Sequence, residues 1–200
     1  RFRDIICLGG TVKYEVYYWD APGKKNTEAT IDAALKRAKE LDIRYFVVAS
    51  CAGHTTRLLC EKGKDIEIVS VTHQAGFREP GKCEMPEEVK NELISKGVKV
   101  FTGTHFFGGL GRAIRMKFGG MEVDELAANT LRIFGHGVKV AIEVAIMALD
   151  AGLVPYGKEI ISIGGSSEGA DTAIVCLPQH GKDFFSFDVR EIICKPRSRK

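Results

Sequence analysis

Residues 43–72 read IRYFVVASCAGHTTRLLCEKGKDIEIVSVT and contain one complete strand–helix–strand unit. The apolar run 43–49 has the pattern of a buried strand, and 66–71 has the same pattern. The segment 53–62 between them is typical of a helix. The unit therefore predicts two parallel strands joined by a right-handed helical crossover, which assigns the chain to the α/β class.

The rest of the chain continues this alternation of strands and helices in both directions. Helices are expected over 26–41, 53–62, 86–97 and 124–152, the last with a break at Gly135 and Gly137, and strands over 16–19, 43–49, 66–71, 98–101, 160–163, 172–177 and 189–194. Only a short Gly/Ser loop joins 160–163 to 172–177, so these two strands should pair antiparallel. The prediction is a mostly parallel sheet with an antiparallel edge and helices on both faces.

Composition and charge exclude several classes of protein. With 200 residues, of which 44% are hydrophobic and 28% charged, a single globular domain over residues 1–200 is expected and a disordered chain is excluded. The net charge of +3 is too small to indicate a nucleic-acid partner. No apolar run reaches the length of a membrane span, and no signal peptide is visible, so we expect neither a membrane partner nor secretion.

The histidines and cysteines do not have metal-site spacing. None of the six cysteines forms a Cys-x-x-Cys pair, and no His-x-His or His-x-x-x-His pair is present. The sequence therefore predicts no metal site. It also favours reduced thiols in the cytoplasm.

Four loops rich in Gly, Ser and Thr follow the predicted strands at 50–56, 72–77, 102–109 and 164–172. Ligands of open α/β sheets bind at the carboxyl ends of the strands, and these residue types suit phosphate oxygens. The first loop also runs into a helix N-terminus, which favours anions. We therefore expect a phosphorylated small molecule, with its phosphate held by Ser50, Gly53, Thr55 and Thr56.

Two of these stretches resemble a known family. Residues 34–72 are similar to the helix, strand, Ser/Thr-Gly loop, helix and strand of the C-terminal domain of pyruvate kinase, and residues 158–175, KEIISIGGSSEGADTAIV, are similar to its closing hairpin. The chain resembles even more the stand-alone proteins of archaea and some bacteria that share this domain, with hallmarks at 26–27, 50–56, 73–77 and 164–172. The resemblance covers residues 14–197 and leaves 1–13 as an N-terminal extension.

The resemblance implies a three-layer αβα sandwich and, from the stand-alone proteins, flavin mononucleotide (FMN) as the ligand. Ala52 stands where the kinase pattern has Ser, which argues against the regulatory sugar phosphate of the kinase domain. Kinase activity is not implied, because that chemistry belongs to a separate barrel domain that 200 residues cannot also contain. The residues expected to bind the cofactor are Asn26, Thr27, Ser50, Cys51, Gly53, His54, Thr55, Thr56, Thr72, His73, Gly76, Phe77, Thr104, Gly164, Gly165, Ser166, Asp171 and Thr172.

Several of these side chains have a structural alternative. His73 and His105 are the candidates for acid–base catalysis, or else histidines hydrogen-bonded within the fold. Cys51 is either a reactive thiol with a lowered pKa at a helix N-terminus or a packed thiol. Phe77, Phe106 and Phe107 could stack on a flat ring, or else belong to the core or to a lid. Asp171 could bind a ligand hydroxyl or be a solvated loop carboxylate.

Three functions remain open at this point. The first is binding of FMN or a similar phosphorylated ligand. The second is catalysis, by an enzyme acting on a sugar phosphate or by a flavin-dependent oxidoreductase. The third is a ligand-sensing regulatory module without turnover. A homo-oligomer is compatible with each of them.

Overall fold

The computed structural model describes residues 13–198, and these contain seven strands and six α-helices. The strands are β1 Tyr17–Trp19, β2 Tyr45–Ala49, β3 Glu67–Thr72, β4 Lys99–Thr102, β5 Ile160–Gly164, β6 Thr172–Leu177 and β7 Asp188–Pro196. The helices are α1 Thr27–Leu41, α2 His54–Lys62, α3 Glu87–Ser95, α4 Leu110–Phe118, α5 Val123–Leu131 and α6 His136–Asp150. Apart from Lys13, the predicted N-terminal extension lies outside the described residues.

The seven strands form one sheet in the order β1-β7-β6-β5-β2-β3-β4. The pairs β5–β2, β2–β3, β3–β4 and β1–β7 are parallel. Strand β6 pairs antiparallel with both of its neighbours, β5 and β7. The predicted mostly parallel sheet with an antiparallel edge is confirmed, and the reversed strand lies third from the β1 side.

Hydrophobic side chains cover both faces of the sheet and make a sandwich of three layers. Phe46 and Val48 of β2 point into a core that also contains Ile31 of α1 and Leu93 of α3. Val47 points into a second core, built largely from α6. Since neighbouring strand residues point to opposite faces, a strand buried on both faces has a continuous apolar sequence. This explains the run that identified β2 in the sequence.

The helices agree with the sequence prediction, with one addition. The predicted break lies between α5 and α6, where the 3-10 turn Arg132–Phe134 is followed by Gly135 with a φ of 130°. Helix α4 was not predicted. Among the described residues, no helix has the length and apolar character needed to cross a membrane.

Candidate functional site

The loops that follow the parallel strands converge at one edge of the sheet. Because β5, β2, β3 and β4 run parallel, the segments that leave their carboxyl ends share that edge. The pairing of Gly164 with Thr172 brings the start of β6 to the same edge. Strand β1 runs in the same direction and adds the loop 20–26. The expected convergence is therefore confirmed, with one loop more than the sequence indicated.

The hydroxyl groups at the start of α2 hydrogen-bond within the protein. The Thr56 and Ser70 hydroxyl oxygens are 2.8 Å apart, and Ser50 Oγ accepts the Thr56 N–H at 3.4 Å. Gly53 has a φ of 86°, and a Cβ there would lie 2.5 Å from Val89 Cγ1, so this tight turn requires glycine. These contacts give the loop a structural role, and its role as the phosphate anchor stays a prediction.

Three further polar residues expected to bind the ligand also have partners within the chain. Asn26 Nδ2 donates to a backbone carbonyl at 2.8 Å. Thr27 Oγ1 accepts the Ala170 N–H at 3.0 Å, which ties α1 to the β5–β6 loop. The Thr72 and Thr102 hydroxyl oxygens are 2.8 Å apart at the ends of β3 and β4. These side chains hold neighbouring loops in place.

Asp171 is a fully buried carboxylate that joins several segments of this edge. Its Oδ2 accepts the backbone N–H groups of Gly23 at 3.0 Å and Ser166 at 3.2 Å, and its Oδ1 accepts the Thr172 hydroxyl at 2.9 Å. A Cβ on Gly137 would lie 2.8 Å from Oδ1, so the carboxylate lies against the N-terminus of α6. The alternative of a solvated loop carboxylate is wrong, because the Asp171 side chain is buried and hydrogen-bonded within the chain. It lies at the N-terminus of α6, where the helix dipole favours a carboxylate.

Thr55 is buried at the start of α2, and the other predicted residues either make close backbone contacts or lie nearer the surface. A Cβ on Gly164 would lie 2.4 Å from a backbone oxygen of α6, and one on Gly165 would lie 2.3 Å from a backbone oxygen of its own loop. Gly76 has a φ of 77° in the loop after β3. His54 and Thr104 are exposed. The side chains of His54 and Thr104 are therefore accessible at this edge, whereas Gly164 and Gly165 allow close packing of the backbone.

Three rings form a cluster between the loops after β3 and β4. The ring centroids of His73 and Phe77 are 4.1 Å apart, and the His105 centroid lies 5.0 Å from His73 and 5.4 Å from Phe77. The Arg112 guanidinium lies over the Phe77 ring at 5.3 Å. The structure thus brings together the two candidate catalytic histidines and Phe77, one of the three predicted stacking residues, whereas Phe107 is buried.

A cavity of about 370 Å³ opens beside this ring cluster, between the loop after β4 and helices α4, α5 and α6. Four cationic side chains and two carboxylates line it, together with His105: Arg112, Arg115, Arg132, Lys139, Glu125 and Glu143. Arg115 Nε lies 2.6 Å from Glu125 Oε1. The charged side chains of the lining therefore sum to two positive charges.

The innermost group of this cavity is a buried ion pair. Lys139 Nζ donates to Glu143 Oε2 at 2.5 Å, and the Phe107 N–H donates to Glu143 Oε1 at 3.0 Å. Burial lowers the pKa of Lys139, which Glu143 opposes. Burial also lowers the pKa of His105, so its imidazole is neutral at neutral pH.

A second group of titratable side chains lies on the other side of His73. His73 Nδ1 is 2.5 Å from Glu84 Oε1. Cys51, His73 and Glu84 each offer one possible ligand atom, and these three atoms lie within 4.8 Å of one another. Arg78 Nε lies 3.1 Å from Glu84 Oε2. Burial raises the pKa of the Cys51 thiol, contrary to the lowering that a helix N-terminus would favour.

Sequence reasoning missed most of the charged residues of this edge. Lys139 and Glu143 are four residues apart in the stretch 137–149, which is otherwise apolar, and such a pair is a signal that could have identified them. Arg112 and Arg115 belong to α4, which was itself not predicted. Glu84 lies in an irregular loop, and no local pattern marks it.

A model of the family described as "Pyruvate kinase, alpha/beta domain" matches residues 28–176, about three quarters of the chain. Among solved structures, the chain is similar to a pyruvate kinase from Cryptosporidium parvum, with 18% identity and a TM-score of 0.36 over 70% of this chain and 20% of that one. It is also similar to the Cryptosporidium parvum pyruvate kinase in complex with ADP, with 18% identity and a TM-score of 0.38 over 74% of this chain and 22% of that one. The chain thus spans about one fifth of the length of these kinases.

Proposed function

Because this chain belongs to the pyruvate kinase alpha/beta domain family, we propose that it binds a phosphorylated small molecule with a planar ring, and that FMN is this ligand. The observation that carries the proposal is the cavity of about 370 Å³ with its cationic lining beside the cluster of His73, Phe77 and His105. Its volume lies within the range of about 300–1,000 Å³ that is usual for small-molecule sites.

The cationic lining supports a phosphate in this cavity. Two positive charges remain when the four cations are set against Glu125 and Glu143, and a phosphate monoester carries about −1.5 to −2 at pH 7. Arginine suits this task because its planar guanidinium can donate two parallel hydrogen bonds to one phosphate. We therefore assign the phosphate to Arg112 and Arg132, beside the buried Lys139.

The ring cluster supports the planar part of the ligand. His105 lines the cavity and Phe77 lies against it, with ring centroids 5.4 Å apart, and aromatic rings stack favourably on flat ligands. A phosphate and a flat ring in adjacent positions are the two features of FMN that these residues fit. Bound FMN would supply redox chemistry, while the neutral His105 imidazole could accept a proton beside it.

The test is a comparison of FMN with riboflavin, which lacks the phosphate. We expect FMN to bind more tightly to the purified protein, and Arg112→Gln to weaken FMN binding by about tenfold to a hundredfold, because a charge-assisted hydrogen bond contributes about 1.5–3 kcal/mol. The same substitution should leave riboflavin binding almost unchanged. The matched control is Arg44→Gln, an exposed arginine that precedes β2 at the opposite edge of the sheet.

The Thr55→Val variant distinguishes between the two possible phosphate positions, one at Arg112 and Arg132 and the other at the start of α2. If Thr55→Val weakens FMN binding and Arg112→Gln does not, the phosphate lies at the helix N-terminus. Equal binding of FMN and riboflavin by the unmodified protein would contradict a phosphate anchor at either place. Failure of the protein to change the absorption or fluorescence of added FMN would contradict the flavin itself.

A flavin-dependent oxidoreductase is the second candidate, because the two histidines and the buried ion pair lie beside the same cavity. It predicts turnover that His105→Ala reduces without loss of FMN binding. A sugar-phosphate enzyme predicts turnover without flavin. The regulatory module predicts ligand-dependent association without turnover. A cytoplasmic location and a homo-oligomer stay predictions.

A further inference from the structure

We propose that Cys51, His73 and Glu84 form a binding site for a divalent transition-metal ion of the zinc class. The site lies at the carboxyl edge of the sheet between β2 and β3. It shares His73 with the ring cluster but no residue with the phosphate position at Arg112 and Arg132, and the proposal does not depend on the proposed function. The sequence had predicted no metal site, because these three residues have none of the usual spacings.

The topology of the sheet brings the first two ligands together. In the parallel register of β2 and β3, Ala49 pairs with Val71. Cys51 and His73 each lie two residues beyond this pair, so they leave adjacent strands at the same level. Parallel neighbours are separated by only about 5 Å, which places the two side chains within reach of one ion.

The loop between β3 and α3 supplies the third ligand. This loop folds back on itself, with the Gly76 N–H donating to the Lys82 carbonyl at 2.8 Å. Met85 is 5% exposed and packs into the core formed with α1, α2 and α3, which fixes the loop next to Glu84. As a result the Glu84 carboxylate reaches His73 Nδ1 at 2.5 Å, although eleven residues separate them in sequence.

The distances suit one small cation. The three ligand atoms lie within 4.8 Å of one another. Bonds to zinc of about 2.0–2.3 Å in tetrahedral geometry separate the ligand atoms by about 3–4 Å. Small rotations of the Cys51 and Glu84 side chains would therefore bring all three into coordination, while the strand ends that hold Cys51 and His73 stay in place.

The donor set selects the class of metal. A thiolate sulfur, an imidazole nitrogen and a carboxylate oxygen are the donors that zinc and cobalt accept together, whereas magnesium and calcium prefer oxygen alone. Three protein ligands leave the fourth tetrahedral position for water or another small molecule, as in catalytic zinc sites. Arg78, which is 72% exposed and pairs with the other Glu84 oxygen, can move aside into solvent when the ion binds.

The experiment uses the whole protein, stripped with a chelator and titrated with Co²⁺ alone. A cobalt–thiolate site gives a charge-transfer band in the near ultraviolet, and tetrahedral coordination gives strong visible bands. We expect one equivalent of Co²⁺ to produce both, and Zn²⁺ to abolish them. Cys51→Ser should remove the charge-transfer band, and Glu84→Gln and His73→Ala should each weaken Co²⁺ binding by at least about tenfold, since loss of even an outer partner costs about 10–100-fold.

Cys83→Ser is the matched control, because Cys83 is an exposed thiol next to Glu84 in the same loop. This variant should give the same bands and affinity as the unmodified protein. Far-ultraviolet circular dichroism establishes that each variant is folded. Zn²⁺ should also protect Cys51, but not Cys83, from iodoacetamide, as measured by peptide mass spectrometry.

Three results would overturn the proposal. One is the absence of a charge-transfer band in the unmodified protein. Another is a band that persists in Cys51→Ser or disappears in Cys83→Ser. The third is rapid alkylation of Cys51 that Zn²⁺ does not slow, which would identify the cluster as a thiol–imidazole–carboxylate nucleophile instead.

Discussion

The buried Asp171 carboxylate accepts two backbone N–H groups and one hydroxyl from three positions along the chain. Removing it in Asp171→Ala leaves these donors without their acceptor, and each buried unsatisfied donor costs about 1–3 kcal/mol. We expect the free energy of unfolding to fall by about 2–5 kcal/mol. Urea denaturation measures this as a lower midpoint at an unchanged slope.

Glu168→Ala is the control for this prediction, because Glu168 is an exposed carboxylate of the same loop. Its unfolding midpoint should stay within the error of the unmodified protein. Should Asp171→Ala unfold at the original midpoint and lose only ligand binding, the carboxylate would belong to the ligand site rather than to the framework.

For single residues, the sequence predicted the position in the fold but not the hydrogen-bond partners. The sequence put Thr56, Thr72 and Asp171 at the correct edge, because strand ends can be inferred from local patterns. Their oxygens hydrogen-bond within the chain, and contact of the same oxygens with a ligand stays a prediction. The partners of Thr56 and Thr72 lie 14 and 30 residues away in sequence, and local sequence patterns say nothing about such pairs.

Helix α4 differs from the other helices in how it is held. None of its nine residues, all of them within the described part of the chain, is buried. Leu110 and Met116 are each 77% exposed, and Arg115 pairs with Glu125 of α5. A helix with so little packing opens locally at small free-energy cost.

Hydrogen exchange tests this difference between helices. We expect the amides of α4 to exchange far faster than those of α6, in which twelve of fifteen residues are buried. Glu125→Gln should accelerate exchange in α4 further, because it removes the charged partner of Arg115. Protection of α4 equal to that of α6 would contradict the prediction.

Strands β2 and β3 could be predicted from the sequence pattern, whereas helix α4 could not. Strands β2 and β3 were predicted to within two residues, since burial on both faces leaves a continuous apolar run. Helix α4 was missed although Leu110, Ile114 and Phe118 have the spacing of one helical face. Glycines flank that segment on both sides, which in the sequence is typical of a loop. In the structure, its apolar face belongs to neither hydrophobic core.

Helices α2 and α3 are joined by a charged contact that should make stability depend on pH. Glu92 accepts hydrogen bonds from Arg57 and, at 2.7 Å, from Lys96, and chiefly the Arg57 guanidinium lowers its pKa from 4.5 to about 2. The unfolded chain therefore binds more protons than the folded one between pH 4.5 and 2. The stabilisation is present above that range and is lost as the pH falls through it.

Glu92→Gln should unfold with a weaker dependence on pH over this acid range than the unmodified protein. Thermal unfolding at a series of pH values measures the difference, and added salt should reduce it because the contact is at the surface. Glu88→Gln, at an exposed position of the same helix, is the control. Parallel pH profiles for the unmodified protein and Glu92→Gln would show that the contact contributes nothing.

For the whole molecule, the sheet links the two hydrophobic cores. Alternate residues of a single strand enter opposite cores, as Phe46 and Val47 of β2 do. Neither core can therefore lose its packing without exposing the strands that the other one needs. We therefore expect the two cores to unfold together, as in the single domain that the length of the chain predicts.

The prediction is that substitutions in either core lower one common unfolding transition. Ile31 of α1 and Ile146 of α6 are both fully buried, and they belong to different cores. Ile31→Ala and Ile146→Ala should each reduce the free energy of unfolding by about 2–5 kcal/mol. Near- and far-ultraviolet circular dichroism should report the same urea midpoint within each variant.

Ile94→Ala provides the baseline, because Ile94 is 49% exposed and should cost much less. The informative case is the double variant of Ile31 and Ile146, whose sites lie on opposite faces of the sheet. If the domain is one cooperative unit, the two losses add and the transition stays single. A biphasic curve, in which Ile146→Ala moves only one phase, would mean that the α6 layer unfolds independently of the α1 layer and that the shared strands do not couple them.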